Sequence, residues 1–178
     1  EHDLEGFLNE FKKAGGKWDV KGEFTRFYVP NGINPSDILT APHPGFMTDW
    51  QGPWAIFMTQ AKGTALIHET VFENKLGYVT DLKKMGADAI LFNPEVKNPE
   101  EVYNFNLADD RPEHVHAVEI KGPTPLHNAV MTTLDIRAGA AMVLAALAAD
   151  GESTIFDTQK LDRGYEALEK RLEKLGAN

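Results

Sequence analysis

Apolar positions along this chain recur at two different spacings, and the spacing switches several times. In "GYVTDLKKMGADA" (77–89), Val79, Leu82 and Met85 return at helical intervals before a Gly-Ala-Asp stop. "LEGFLNEFKKAGG" (4–16) reads as an amphipathic helix, and residues 50–61 and 136–149 read as Ala-rich apolar helices. Short runs lie between them: "FTRFYVP" (24–30), "ALIHETV" (65–71), "AILFN" (89–93), "HVHAVEI" (114–120) and "STIFDT" (153–158). These read as strands. Helices alternating with strands predict an α/β protein built in layers. The longest apolar run, "AGAAMVLAALAA" (138–149), falls short of the ~18 residues of a membrane span and reads as a buried helix.

The pattern also repeats. Residues 48–89 and 134–178 each open near an Asp, Asp49 or Asp135, and continue as an Ala-rich helix. Each turns at a Gly followed by Thr (Gly63 and Thr64, Gly151 and Thr154), runs a short strand, and ends in a second helix closing on Gly-Ala. Twelve residues after the turn glycine each places a cation, Lys75 or Arg163. A repeated unit predicts pseudo-symmetric pieces sharing a core. The expected division is a single, partial domain over 1–178. It holds about two units, 40–120 and 121–178, and the end of a preceding unit in 1–39.

Bulk properties narrow the partners. The chain has 178 residues, enough for one domain, with 42% hydrophobic content and a net charge of −9. No basic stripe is present, which argues against nucleic acid and anionic membrane surfaces as partners. Without cysteine there is neither a disulfide nor a thiol nucleophile. The first 20 residues are charged rather than signal-like, so a cytoplasmic location is the default expectation. The chain opens on Glu1 and closes on a helix stop, which reads as a piece of a longer protein.

Repeated packing explains repeated structure, but it does not explain repeated charge. A lone Asp where a helix begins is most simply an N-cap. Arg137, in the first turn of the second Ala-rich helix, opposes the helix dipole unless an anion sits there. Lys75 and Arg163 read singly as solvated cations; with Arg137 they could converge on one anionic substrate. One carboxylate, Asp49, could then act as a base. Phe72, Glu73, Asn74 and Lys75 raise a separate question, because a plain linker before a helix would be Gly, Ser or Pro. His114 and His116 would share one face of a strand; with no third ligand in view they read as two solvated histidines rather than a metal pair.

Four motifs in order carry a resemblance: Pro-x-Pro-Gly-Phe-x-Thr-Asp (42–49), Glu-Thr-Val-Phe-Glu-Asn (69–74), Asp-x-Arg-Ala (135–138) and Asp-Arg-Gly-Tyr (162–165). The segments 40–89 and 130–178 resemble the UDP-N-acetylglucosamine 1-carboxyvinyltransferases, the enolpyruvyl transferases of early peptidoglycan synthesis. The resemblance implies two "inside-out", barrel-like α/β domains, each of three βαβαββ units, with the active site in the cleft between. This chain looks like most of one such domain, with the partner domain absent. It implies no cofactor and no metal. The reaction it implies moves enolpyruvate from phosphoenolpyruvate to the 3-hydroxyl of UDP-N-acetylglucosamine, releasing phosphate.

Residue by residue, Asp49 matches the aspartate that contacts the sugar hydroxyl and is proposed to take its proton. Val71 matches a residue contacting the nucleotide sugar, beside Phe72, Glu73 and Asn74, which shape an active-site wall. Arg137 and Arg163 match arginines of the phosphoenolpyruvate side, and Asp135 an aspartate at the same helix start. Lys75 stands where the family usually has Arg, which replaces a bidentate fork with a point charge. Met47, Trp50 and Pro53 alter the usual start of the first helix. Residues 93–120 are longer and more acidic than usual, a surface excursion. The family's acid, a cysteine, belongs to the absent domain, so the chain alone is expected to be inactive. Two alternatives stand beside this: a non-catalytic binding or structural module of the same fold, and a related transferase with another nucleotide-sugar acceptor.

Overall fold

In the computed structural model, which describes residues 2–133 and 135–177, helix and strand alternate as the periodicity requires. Helix α1 (Glu5–Lys13) leads into a hairpin of β1 (Lys17–Lys21) and β2 (Phe24–Tyr28), paired antiparallel with Trp18 opposite Phe27. Next come β3 (Ile38–Leu39), α2 (Thr48–Thr59), β4 (Gly63–His68), α3 (Tyr78–Lys84) and β5 (Asp88–Phe92). A short α4 (Pro99–Val102) precedes β6 (Ala117–Gly122). The chain then runs through β7 (Val130–Thr132), α5 (Ile136–Ala148), β8 (Thr154–Phe156) and α6 (Leu168–Glu173).

The central sheet has the order β3-β4-β6-β5. Strand β3 runs parallel to β4, and β6 is antiparallel to both β4 and β5. Ile38 and Leu39 of β3 pair with Ile67 and His68 of β4. Side-chain alternation decides the faces of this sheet. Ala65, Ile67, Ala89, Val118 and Ile120 are buried beneath the helices, while Glu119 and Ile90 in the next register face outward. Strands β7 and β8 form a separate parallel pair, with α5 as their crossover.

Helices α2 and α5 pack against each other, and α3 packs on α5. The approach of α2 to α5 is close at Gly52, where an added Cβ would stand 3.1 Å from the Ala141 Cβ. Small residues on both helices permit this. Under α2 lies an aromatic cluster of Phe7, Phe11, Phe46, Trp50, Trp54 and Phe57, with ring centroids 5.4–6.0 Å apart. Trp50, unusual for the start of this helix, is therefore a packing residue. Three helices end alike: Gly15, Gly86 and Gly176 follow α1, α3 and α6 with φ of 91°, 95° and 95°, a left-handed conformation that glycine adopts without steric cost.

The excursion from 93 to 116 departs from the sequence reading. Strand β6 begins only at Ala117, so neither His114 nor His116 lies on it. Nor are both solvated: His116 is 4% exposed. Asp110 bridges them, its Oδ1 3.0 Å from His114 Nδ1 and its Oδ2 2.9 Å from His116 Nε2. Tyr103, Phe105 and His116 stack together, and Tyr103 Oη lies 3.2 Å from His68 Nε2 on β4. The excursion is thus tied down onto the sheet by aromatic packing and a shared carboxylate.

Candidate functional site

Two helix starts and one loop meet at a small pocket. It is lined by Thr48, Asp49, Gln51 and Pro53 of α2, Lys75 and Tyr78 around the start of α3, and Asp135, Arg137 and Ala138 at the start of α5. The packing of α2 on α5 brings these residues together across 88 positions of sequence.

The helix starts are built differently. Asp135 is an N-cap: its Oδ1 accepts from the backbone N–H of Arg137 and of Ala138, both at 2.8 Å. Asp49 is not a cap, contrary to the simplest reading; the N-cap of α2 is Met47, and Asp49 lies within the first turn. Its carboxylate instead pairs with the Arg137 guanidinium through Oδ1 and Nε. Both side chains are about half exposed, 53% and 45%. Pro53, four residues after Asp49, has no N–H and leaves the Asp49 carbonyl without its helical donor.

Lys75 completes the charge set. Its Nζ is 3.8 Å from Asp135 Oδ2 and 5.3 Å from the centre of the Phe72 ring. Phe72 therefore supplies a cation–π face beneath the ammonium. A buried pair supports this segment from below. Tyr78 donates its hydroxyl to Gln51 Oε1 at 2.8 Å, and Gln51 Nε2 donates to the Lys75 carbonyl at 3.2 Å. Burial, and then the Glu69 charge, push the Tyr78 hydroxyl far above the ordinary phenol range, so it remains a neutral donor.

Of the expected residues, Asp49, Lys75, Asp135 and Arg137 converge. Val71 is half-buried at the head of the same loop, followed by exposed Phe72, half-buried Glu73 and exposed Asn74. Arg163 does not line the pocket. It is exposed in a turn whose Gly164 rests on Ile136, the first residue of α5. Sequence reasoning missed Glu69, Thr48, Gln51 and Tyr78. Glu69 sat in view inside Glu-Thr-Val-Phe-Glu-Asn, but a carboxylate next to a strand carries no local sign of burial. Among the described residues no group of three or more His, Asp or Glu side chains is placed to hold a metal.

Residues 3–172 match the EPSP synthase (3-phosphoshikimate 1-carboxyvinyltransferase) family. The chain belongs to that family. Within it, the chain is 41% identical over 173 residues to the UDP-N-acetylglucosamine 1-carboxyvinyltransferase of Chlamydia muridarum, covering 96% of this chain and 38% of that one. The enzyme of the same name from Desulfosudis oleivorans is 34% identical over 175 residues, covering 98% of this chain and 37% of that one. Among solved members of this fold, the enolpyruvyl transferase NikO from Streptomyces tendae aligns with a TM-score of 0.79 at 26% identity, over 98% of this chain and 36% of NikO. An EPSP synthase from Acinetobacter baumannii shares the fold at 12% identity and a TM-score of 0.54, over 86% of this chain and 32% of that one. The chain thus spans a little over a third of the length of these family members.

Proposed function

We propose that this chain supplies one wall of an enolpyruvyl transferase that moves enolpyruvate from phosphoenolpyruvate to the 3-hydroxyl of UDP-N-acetylglucosamine, a cytoplasmic step of peptidoglycan synthesis. The observation that carries this reading is the convergence of Asp49, Lys75, Asp135 and Arg137 at two adjacent helix starts. In the reaction the sugar oxygen bonds to C2 of phosphoenolpyruvate. The bond from C2 to the phosphate oxygen breaks, and the hydroxyl proton leaves. Asp49 is the base for that proton once substrate separates it from Arg137. Freed Arg137, with Lys75, then stabilises carboxylate and phosphate. Val71 and Phe72 hold the nucleotide sugar, and Glu73 and Asn74 shape the wall beside them. An acid from a second domain protonates the methylene carbon as the sugar oxygen adds, and a proton leaves that carbon again as phosphate departs, which restores the double bond. The parallel crossovers β3-α2-β4 and β7-α5-β8 support an internal repeat, each copy holding a strand, an Ala-rich helix and a parallel strand.

A second reading keeps the chemistry and gives the enzyme another nucleotide-sugar acceptor, which Lys75 in place of the family's usual Arg leaves room for. One experiment addresses both. This chain, alone and exchanged for the matching segment of the C. muridarum relative, is incubated with phosphoenolpyruvate and either UDP-N-acetylglucosamine or a second nucleotide sugar, UDP-glucose. Released phosphate is then measured. The chain alone releases none, and the exchanged enzyme turns over with UDP-N-acetylglucosamine. Asp49→Asn in that enzyme lowers kcat about 10²- to 10⁴-fold, the usual share of general base catalysis. Turnover by the chain alone at ordinary enzyme rates refutes the two-domain reading. Turnover of the exchanged enzyme with UDP-glucose only selects the second reading.

A further inference from the structure

Glu69 is fully buried and stands outside the lining of the pocket at the two helix starts. Its two carboxylate oxygens are used separately. Oε1 accepts from Thr40 Oγ1 at 3.0 Å and from the backbone N–H of Val71 at 2.7 Å and Phe72 at 3.1 Å. Oε2 accepts from Thr48 Oγ1 at 2.7 Å. Thr48 is the first residue of α2 and the neighbour of Asp49. A buried charge is costly unless several donors serve it, and four donors serve this one. Those donors come from three pieces of the fold: the chain just after β3, the first turn of α2, and the loop after β4. The backbone of Glu69 is held as well, its N–H donating to the His116 carbonyl at 2.7 Å.

We propose that Glu69 is a positioning residue for the candidate site. Its carboxylate sets the first turn of α2, which carries Asp49, at a fixed distance from the Val71–Phe72 backbone. A hydrophobic residue of the same volume would fill the space but could not hold four donors in place. The proposal rests on the transferase reading for its consequence, since Asp49 is the base there and Val71 and Phe72 hold the nucleotide sugar. Its geometry stands apart from that reading.

The test uses this chain and two variants, Glu69→Gln and Thr48→Val. Thr48→Val leaves Glu69 with its other three donors, so it keeps the fold if Glu69→Gln does not. Amide hydrogen exchange is followed by NMR without ligand. Glu69→Gln is expected to speed exchange at Val71 and Phe72 at least tenfold, while amides of β6 keep wild-type rates. Thr48→Val is expected to shift the Asp49 carboxyl carbon resonance, and Thr48→Ser to restore it. Unchanged rates and shifts overturn the proposal, and so does equal acceleration throughout β6, which would mean a role in global stability only. UDP-N-acetylglucosamine is then titrated against the exchanged enzyme and against the same variants of it. Its affinity is expected to fall about tenfold in Thr48→Val and to return in Thr48→Ser. If the exchanged enzyme binds no UDP-N-acetylglucosamine, the acceptor assignment fails, while the exchange rates still decide whether Glu69 positions the loop.

Discussion

Arg137 is expected to matter little to stability and, under the proposed function, much to binding. It is almost half exposed, and its partner Asp49 slightly more so. Exposed ion pairs contribute about 0–1 kcal/mol, because water screens the attraction and ordering the side chains offsets it. Arg137→Ala should therefore lower the unfolding free energy measured in urea by less than about 1 kcal/mol. Bound phosphoenolpyruvate would replace Asp49 as the guanidinium's partner, and a hydrogen bond to a charged group is worth about 1.5–3 kcal/mol. In the exchanged enzyme, calorimetry should show affinity for phosphoenolpyruvate falling roughly 10- to 150-fold. A large stability loss with unchanged affinity would reverse this assignment. The residues of the pocket were legible in the sequence where they repeated or matched a motif, as Asp49, Lys75, Asp135 and Arg137 did. Gln51 and Tyr78 were not, because their role depends on a contact between α2 and α3 that no local pattern encodes.

At the level of elements, α2 is held by what surrounds its two ends. Its C-terminal end abuts Gly122 of β6, where an added Cβ would lie 2.5 Å from the Ala61 carbonyl oxygen and 2.6 Å from that of Thr59. Backbone atoms cannot step aside as a flexible side chain can. Gly122→Ala should cost about 3 kcal/mol, the upper part of the range for overpacking, measured by denaturant unfolding. The excursion carries a pH dependence. His68 faces Tyr103 and His116, with Asp110 beyond His116. Burial, and then the neighbouring His116, hold the His68 imidazole below its ordinary pKa. The folded state therefore binds fewer protons than the unfolded one as pH falls through about 6.5, and stability drops there. Burial disfavours the Asp110 carboxylate, but hydrogen bonds from His116 and His114 outweigh this and lower its pKa, so its contribution is lost further down, below pH 3.8. The melting temperature should fall between pH 7 and 5, and His68→Gln should flatten that slope. The sequence exposed the excursion as an acidic insertion. It concealed the anchoring, which depends on Tyr103, Phe105 and His116 meeting in space.

For the whole molecule, one continuous core runs from Phe11 of α1, through Trp54 and Met58 of α2 and Val118 and Ile120 of β6, to Ala141 and Ala145 of α5. Both sides of the candidate site are thus anchored in a single packed body. Unfolding should then be cooperative, with far-UV circular dichroism and tryptophan fluorescence tracing the same denaturant curve. Two separated transitions would mean that the α5 side melts by itself, and the pocket between α2 and α5 would lose its rigid support. No helix of the described residues is long and apolar enough to cross a membrane.

The sequence by itself determined the alternation of helices and strands, because periods of 3.6 and 2 are properties of neighbouring residues. It also determined the helix stops at Gly15, Gly86 and Gly176, which only a residue free of Cβ strain meets cheaply. The chemistry of the candidate site was written there as charge placed twice. The tertiary structure alone decided that Asp49 turns from a capping role to Arg137, that Asp135 takes the cap, and that Glu69 is buried with four donors. Each of those outcomes depends on which elements lie side by side, and small residues at the α2–α5 contact bring the two helix starts within reach of one another.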